Sequence, residues 1–183
     1  MNHARRLALF ALLVSGAIPG SLSRAGSLPA PLAELSPSPR LSGQAVLRFF
    51  GLRVYDARLW VGTGSSPDLF DRELFLELRY GLSLKGERIA SRSVDEMVGI
   101  GQGSDAQRRV WGEVMRGLFP DVNSGDRLLG QYSPRGPSRF FLNDRPLGVI
   151  EDPDFGRAFF GIWLDSRTSE PAMRESLLKG LSR

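Results

Sequence analysis

Two neighbouring segments near the start of the folded region have the residue pattern of a β-hairpin. Residues 44–50 and 52–61 are rich in β-branched and aromatic residues, and Gly51 separates them. Residues 52–61 carry apolar side chains on both faces, which is typical of a strand that is covered on both sides or lines a pocket. A turn-rich loop follows at 62–68, and residues 73–80 alternate polar and apolar positions as a half-buried strand does.

The middle of the chain changes to the apolar spacing of helices. Ser93 and Glu96 have the spacing of a capping box, which predicts that a helix begins there. Ser104 or Asp105 can cap a second helix, which Phe119 and Pro120 end. The apolar stripe of this second helix consists of Val110, Trp111, Val114, Met115 and Leu118.

The last third of the chain returns to strands and then to helices. Three short strands are predicted at 126–133, 139–143 and 146–150. Asn143 and Asp144 form the turn between the last two. A helix opens at Pro153, and another has Pro171 in its first turn, with Thr168 or Ser169 as its cap. Strands, helices, strands and helices in this order predict an α+β fold with an antiparallel sheet.

The N-terminal residues predict a secretory signal peptide at 1–25. A short basic stretch precedes a run of twelve apolar residues at 7–18, and Ser23-Arg24-Ala25 offers a cleavage site. Twelve apolar residues are too few to cross a bilayer, so no stable membrane span is expected after cleavage. An uncleaved signal anchor is the alternative. We expect a periplasmic or secreted protein with a proline- and serine-rich linker at 26–40 and one domain at 41–183.

Composition then removes several classes of chemistry. The chain has no cysteine, and its single histidine, His3, lies in the predicted signal peptide. Disulfides, thiol nucleophiles, histidine bases and Cys- or His-ligated metals are therefore excluded from the mature chain, and no cofactor or metal is expected. Cleavage removes three arginines and no acidic residue, so the formal net charge falls from +4 to +1. With no basic run, nucleic acid is not an expected partner.

Three separated segments carry a family resemblance. They resemble segments of the chalcone isomerase-like proteins and occur in the same order along the chain. The segments are 47–62 (LRFFGLRVYDARLWVG), 119–134 (FPDVNSGDRLLGQYSP) and 152–180 (DPDFGRAFFGIWLDSRTSEPAMRESLLKG). The signal peptide is similar to that of the exported bacterial branch of this family. The resemblance implies an open-faced sandwich: an antiparallel sheet, helices packed on one face, and a ligand cleft between them.

The resemblance also implies a site. Family members either close a ring in a chalcone, bind fatty acids or have no assigned role. The family's functional arginine matches Arg48 best, with Arg53 as the rival, and Tyr55 matches the family's Val-Tyr element. A guanidinium can hold a phenolate or a carboxylate. Two hydroxyl residues of the ring-closing members are absent, near Phe50 and after Gly86, which weakens the isomerase interpretation.

Three hypotheses follow from these residues. The main one is a protein that binds a small apolar ligand with an acidic group, such as a fatty acid or a phenolic compound. The alternatives are an isomerase (intramolecular lyase) that stabilises an oxyanion with arginine, and a non-catalytic envelope partner protein. A hydrolase, an oxidoreductase or a metalloenzyme is not expected. The sequence assigns no catalytic residue and leaves the oligomeric state open. The acidic cluster at Glu151, Asp152 and Asp154 is interpreted as helix capping.

Overall fold

The structure is a computed structural model that describes residues 29–35, 39–64 and 66–181. The predicted signal peptide, 1–25, lies outside the described residues. The strands are β1 (Arg40–Phe49), β2 (Leu52–Val61), β3 (Leu74–Tyr80), β4 (Arg127–Tyr132), β5 (Ser138–Leu142) and β6 (Arg145–Ile150). The helices are α1 (Ala30–Leu35), α2 (Gly86–Gly99), α3 (Asp105–Leu118), α4 (Pro153–Leu164) and α5 (Pro171–Leu178).

The six strands form one antiparallel sheet in chain order, from β1 at one edge to β6 at the other. This arrangement confirms the predicted α+β class. Leu47, Tyr55 and Tyr80 are directly opposite one another on β1, β2 and β3, so they share one face of the sheet. Ala45, Ala57 and Leu78 form the next row on that face. We call this the inner face, because helices α2 to α5 pack against it.

Helix α4 fills the inner face with aromatic rings. Asp152 caps its N-terminus by accepting a hydrogen bond from the Asp154 N–H at 3.0 Å, and Pro153 stands in the first turn. Asp152 also accepts a bond from the Trp111 indole at 2.8 Å, which ties α3 to the start of α4. The rings buried here include Phe119, Phe140, Phe155, Phe159 and Phe160.

The opposite, outer face carries a second, smaller apolar cluster. Leu32 of α1 is fully buried against Trp60, Phe75 and Leu129. Segment 26–40 is predicted as an extended linker, yet part of it forms this helix. The reason is that β2 to β4 present apolar side chains on both faces, so their outer side also needs a cover.

Two helix starts test the capping predictions. Ser104, one of the two residues predicted to cap this helix, caps α3 and forms a capping box with Gln107. The box predicted at Ser93 is wrong, because α2 begins at Gly86 and Ser93 lies inside the helix. There the Ser93 hydroxyl donates a hydrogen bond to the Ile89 carbonyl at 2.9 Å, a common alternative for a serine within a helix.

Two tight turns contain residues with left-handed backbone conformation. Asn143 and Asp144 have φ values of 49° and 68° between β5 and β6, as the predicted turn requires. Phe50 and Gly51 have φ values of 47° and 78° between β1 and β2. Glycine adopts this conformation without strain, whereas phenylalanine rarely does.

Helix α5 lies directly against the N-terminal half of β1. The Ser42 hydroxyl donates a hydrogen bond to the Leu177 carbonyl at 2.8 Å. A Cβ atom on Gly43 would collide with the Ser176 carbonyl and lie 2.5 Å from the Leu177 carbonyl. Glycine is therefore needed for this close approach. Within the described part of the chain, no helix is both long and apolar enough to cross a membrane.

We expect Gly43→Ala to destabilise the fold by about 1–3 kcal/mol, because the new methyl group meets backbone atoms of α5 that cannot rotate away. The control is Gly117→Ala near the end of α3, where a Cβ would meet nothing within 4 Å. That variant should gain about 0.5–1 kcal/mol from the higher helix propensity of alanine. Denaturant unfolding measures both. Equal stability of the two variants would contradict this account of the β1–α5 contact.

Candidate functional site

A groove of about 350 Å³ runs between the edge strand β1 and helix α5 and is open to solvent. This volume lies at the lower end of the roughly 300–1,000 Å³ of ligand pockets. The lining is mostly aliphatic, with one basic and one acidic side chain. It consists of Ala45, Val46, Leu47, Arg48, Glu170, Ala172, Met173 and Ser176. We call it the edge groove.

The connection between α4 and α5 sets the position of the second wall of the edge groove. The Thr168 hydroxyl donates to the Ile162 carbonyl at 2.6 Å and accepts from the Glu170 N–H at 3.2 Å. Arg174 donates to the Leu164 carbonyl at 2.8 Å. These bonds tie the start of α5 to the end of α4, so α5 begins beside β1.

Tyr55 lies next to the edge groove on the inner face. Its Cα is directly opposite that of Leu47, which lines the groove. The Tyr55 hydroxyl accepts a hydrogen bond from the Trp163 indole at 3.0 Å. The Tyr55 and Tyr80 rings meet edge-on, with their centroids 6.1 Å apart. Among the described residues, no acceptor is hydrogen-bonded to the Tyr55 proton. This hydroxyl therefore retains the capacity to donate to a ligand.

Burial sets the protonation of both tyrosines. It raises the pKa of Tyr55 to about 12, against a smaller lowering by the Trp163 hydrogen bond. Burial also raises the pKa of Tyr80. Both phenols are consequently neutral donors near neutral pH. Arg92 and Glu96 of α2 form an ion pair close to this group, and Ser169 donates to Glu96 at 2.8 Å.

Arg48 and Arg53 are directly opposite each other near the tip of the β1–β2 hairpin. Both side chains are exposed. The Arg53 Nε donates to Asp56 at 2.9 Å, and a second ion-pair contact joins the same two side chains. Arg48 donates one long bond of 3.4 Å to the Gly51 carbonyl. Two like charges facing each other are unfavourable unless an anion lies near them.

The structure thus divides the three predicted site residues into two groups. It brings Arg48 and Arg53 together, but a strand alternates its faces, so Arg48 lies on the other side of the sheet from Tyr55. Because β1 is an edge strand, its consecutive residues Leu47 and Arg48 both line the edge groove. Glu170 and Met173 reach the groove from far along the chain, and no local sequence signal marks them as groove residues. No local pattern in the sequence indicates that the Trp163 indole contacts Tyr55.

The gap between the inner face and α4 is filled by aromatic side chains. Phe155 and Phe159 stack at 5.3 Å, and Phe159 meets Phe140 at 5.2 Å. The edge groove is an opening between the sheet and helix α5 in the described residues. Within that part of the chain, no group of three or more His, Cys, Asp or Glu side chains could hold a metal ion.

Comparisons with known proteins support the fold. A sequence profile described as chalcone isomerase-like matches residues 40–179. No curated protein matches the chain. Among solved structures, the chain is similar to a fatty-acid binding protein of Arabidopsis thaliana, with 14% identity and a TM-score of 0.61. The match covers 79% of this chain and 88% of the plant protein.

We expect Tyr55→Phe to destabilise the protein by about 1–3 kcal/mol, because the buried Trp163 indole loses its acceptor. Tyr80→Phe is the matched control, since the described residues include no hydrogen-bond partner for the Tyr80 hydroxyl, and its effect should stay below about 0.5 kcal/mol. Urea unfolding compares the two. If Tyr80→Phe lowers the free energy of unfolding as much as Tyr55→Phe does, the hydrogen bond from Trp163 does not account for the destabilisation.

Proposed function

Because this chain belongs to the chalcone isomerase-like family, we propose that it binds a small apolar ligand with an acidic group, such as a fatty acid or a phenolic compound. The observation that carries this proposal is a groove in which Arg48 lies beside the apolar side chains of β1 and α5. The plant protein of similar fold binds fatty acids according to its description, which supports the same ligand class here. At 14% identity, that likeness by itself extends only to the fold.

The apolar part of the ligand would lie along the edge groove. Leu47 and Met173 supply aliphatic surface from the two walls, and Ala45 and Ala172 leave room between them. Covering such surface stabilises a complex by about 25 cal/mol per Å² of apolar area removed from water. The groove is open to solvent along its length, which suits a slender chain better than a rigid ring system.

The acidic group would lie at the Arg48 end. Arg53 already contacts Asp56, whereas the single bond of Arg48 is long, so Arg48 has donors left for an anion. Glu170 lines the same groove and repels a carboxylate. The ligand should therefore orient with its acidic group toward the arginine pair and away from Glu170.

The second candidate function is a non-catalytic partner protein of the cell envelope. The aromatic packing between α4 and the sheet supports it. The ring-closing reaction needs an enclosed site, and in the described residues aromatic side chains of α4 fill the gap between that helix and the sheet. The Tyr55 hydroxyl and an arginine could still polarise an oxygen, as the isomerase alternative requires, but they lie on opposite faces of the hairpin. A partner protein needs no cleft and would contact the outside of the domain.

We further propose that the chain is exported, as in the bacterial periplasmic branch of the family. The support is the three-part pattern of residues 1–25, with its basic start, apolar run and small-residue cleavage site. Expression of the complete chain in a Gram-negative host should give a periplasmic product. Intact-mass measurement should find that this product begins at Gly26, and a product that retains residues 1–25 in the membrane would support the signal-anchor alternative.

The ligand proposal predicts that Arg48→Ala combined with Arg53→Ala weakens binding of lauric acid by about tenfold or more. The physical reason is that a charge-assisted hydrogen bond contributes roughly 1.5–3 kcal/mol, and 1.4 kcal/mol corresponds to tenfold in affinity. Glu170→Gln should strengthen lauric acid binding several-fold, because it removes a repulsive charge. Isothermal titration calorimetry measures both effects.

Two controls separate the acidic group from the apolar chain. Dodecanol has the same chain without the acid, so its affinity should be unchanged by the arginine substitutions. Arg145→Ala removes another exposed arginine, on β6 at the far edge of the sheet, and should leave lauric acid binding intact. If the unaltered folded protein binds neither compound, the edge groove is not a ligand site and the partner-protein candidate gains support.

A further inference from the structure

We propose that the tip of the β1–β2 hairpin, residues 48–53, docks onto the surface of an anionic lipid bilayer. This tip presents two phenylalanines and a leucine between two arginines, in the sequence RFFGLR. The exposed fractions of Phe49, Phe50 and Leu52 are 66%, 90% and 65%. The proposal does not rest on the ligand proposed above, since it concerns the tip and not the edge groove.

Phe50 contributes nothing visible to the stability of the fold. It is almost fully exposed and has a φ of 47°, a conformation that disfavours residues with a Cβ atom. Asparagine or aspartate would suit this turn position better, as Asn143 does at the β5–β6 turn. A large apolar side chain in a strained, exposed position indicates a contact outside the domain.

The turn at the tip has open space around it in the described residues. A Cβ atom on Gly51 would meet nothing within 4 Å. The Phe49 and Phe50 rings meet edge-on, with their centroids 4.5 Å apart. Such a narrow apolar projection can enter the boundary between lipid headgroups and acyl chains without displacing any other element.

The charges around the tip match an anionic lipid surface. Arg48 and Arg53 flank the apolar residues. Arg53 is ion-paired with Asp56, so Arg48 supplies the uncompensated positive charge at the tip. Each arginine near an anionic membrane contributes about 1 kcal/mol of attraction. Arginine can also keep its guanidinium at the phosphate level while its aliphatic stem follows the apolar side chains inward. Lipid phosphates would supply Arg48 with acceptors of the kind that Asp56 already gives Arg53.

A bilayer fits this surface better than a folded protein does. Stable protein interfaces bury about 800 Å² on each partner, with a broad apolar centre. Here the apolar surface is confined to three side chains at a hairpin tip, so it is too small and too sharply curved for such an interface. A fluid bilayer needs no complementary shape.

A single fluorescent label tests the docking. Because the chain has no cysteine, Leu52→Cys can carry the environment-sensitive dye NBD, and Val110→Cys on α3 serves as the control at an equally exposed apolar position. With vesicles of phosphatidylglycerol and phosphatidylcholine, NBD emission should rise at least twofold at position 52 and stay constant at position 110. This local readout separates the tip from any membrane binding by residues 1–25.

Two further measurements test which forces hold the tip on the bilayer. Phe49→Ser combined with Phe50→Ser should reduce the lipid affinity reported by the label about tenfold or more, with unchanged circular dichroism. Vesicles of phosphatidylcholine alone, or 1 M salt, should also reduce it, because screening or removing the anionic lipid weakens the arginine contacts.

Several results would overturn the proposal. These are no emission change at position 52, the same change at positions 52 and 110, or an equal response to neutral and anionic vesicles. An increase at position 52 that depends on protein concentration without vesicles would identify a second copy of the chain as the partner instead. If the unaltered protein does not bind lauric acid but still responds to vesicles at position 52, the ligand proposal is refuted and the docking proposal is not.

Discussion

The contact between α4 and the inner face of the sheet determines how the other elements can be arranged. The Phe155 and Phe159 rings stack and meet Phe140 from the sheet, so a helix with a mostly aromatic buried side lies directly on the strands. Close approach requires small residues. A Cβ on Gly130 would lie 3.0 Å from the Phe160 ring, and one on Gly156 would lie 2.8 Å from the Tyr132 ring. Dense packing of this kind leaves little free volume between the layers.

This filled interior shifts the candidate functions to the outside of the sheet. Helix α5 approaches β1 closely at Gly43, and farther along the strand the two elements form the walls of the edge groove. The hairpin then continues beyond the helices to its apolar tip. Arg48 belongs to both regions, since it lines the groove and flanks the tip.

Much of the fold could be predicted from the sequence because its signals are local. Period-two alternation indicated the strands, Ser104 indicated the start of α3, and Asp152 indicated that of α4. The turn at Asn143 and Asp144 was equally clear, since few other residues tolerate its backbone conformation. The absence of cysteine and the position of the only histidine also restricted the chemistry without any structural information.

The candidate site could be predicted only in part, because it depends on contacts between distant residues. The sequence singled out Arg48, Arg53 and Tyr55, but their distribution over two faces depends on the hairpin register and its irregularity beside Leu47. Glu170 joins the groove only because α5 returns to the first strand. By itself the sequence determined the class of elements, the caps and the excluded chemistry, since these depend on residue type and short spacing. The tertiary structure decided which side chains meet, because burial and register are properties of the packed sheet as a whole.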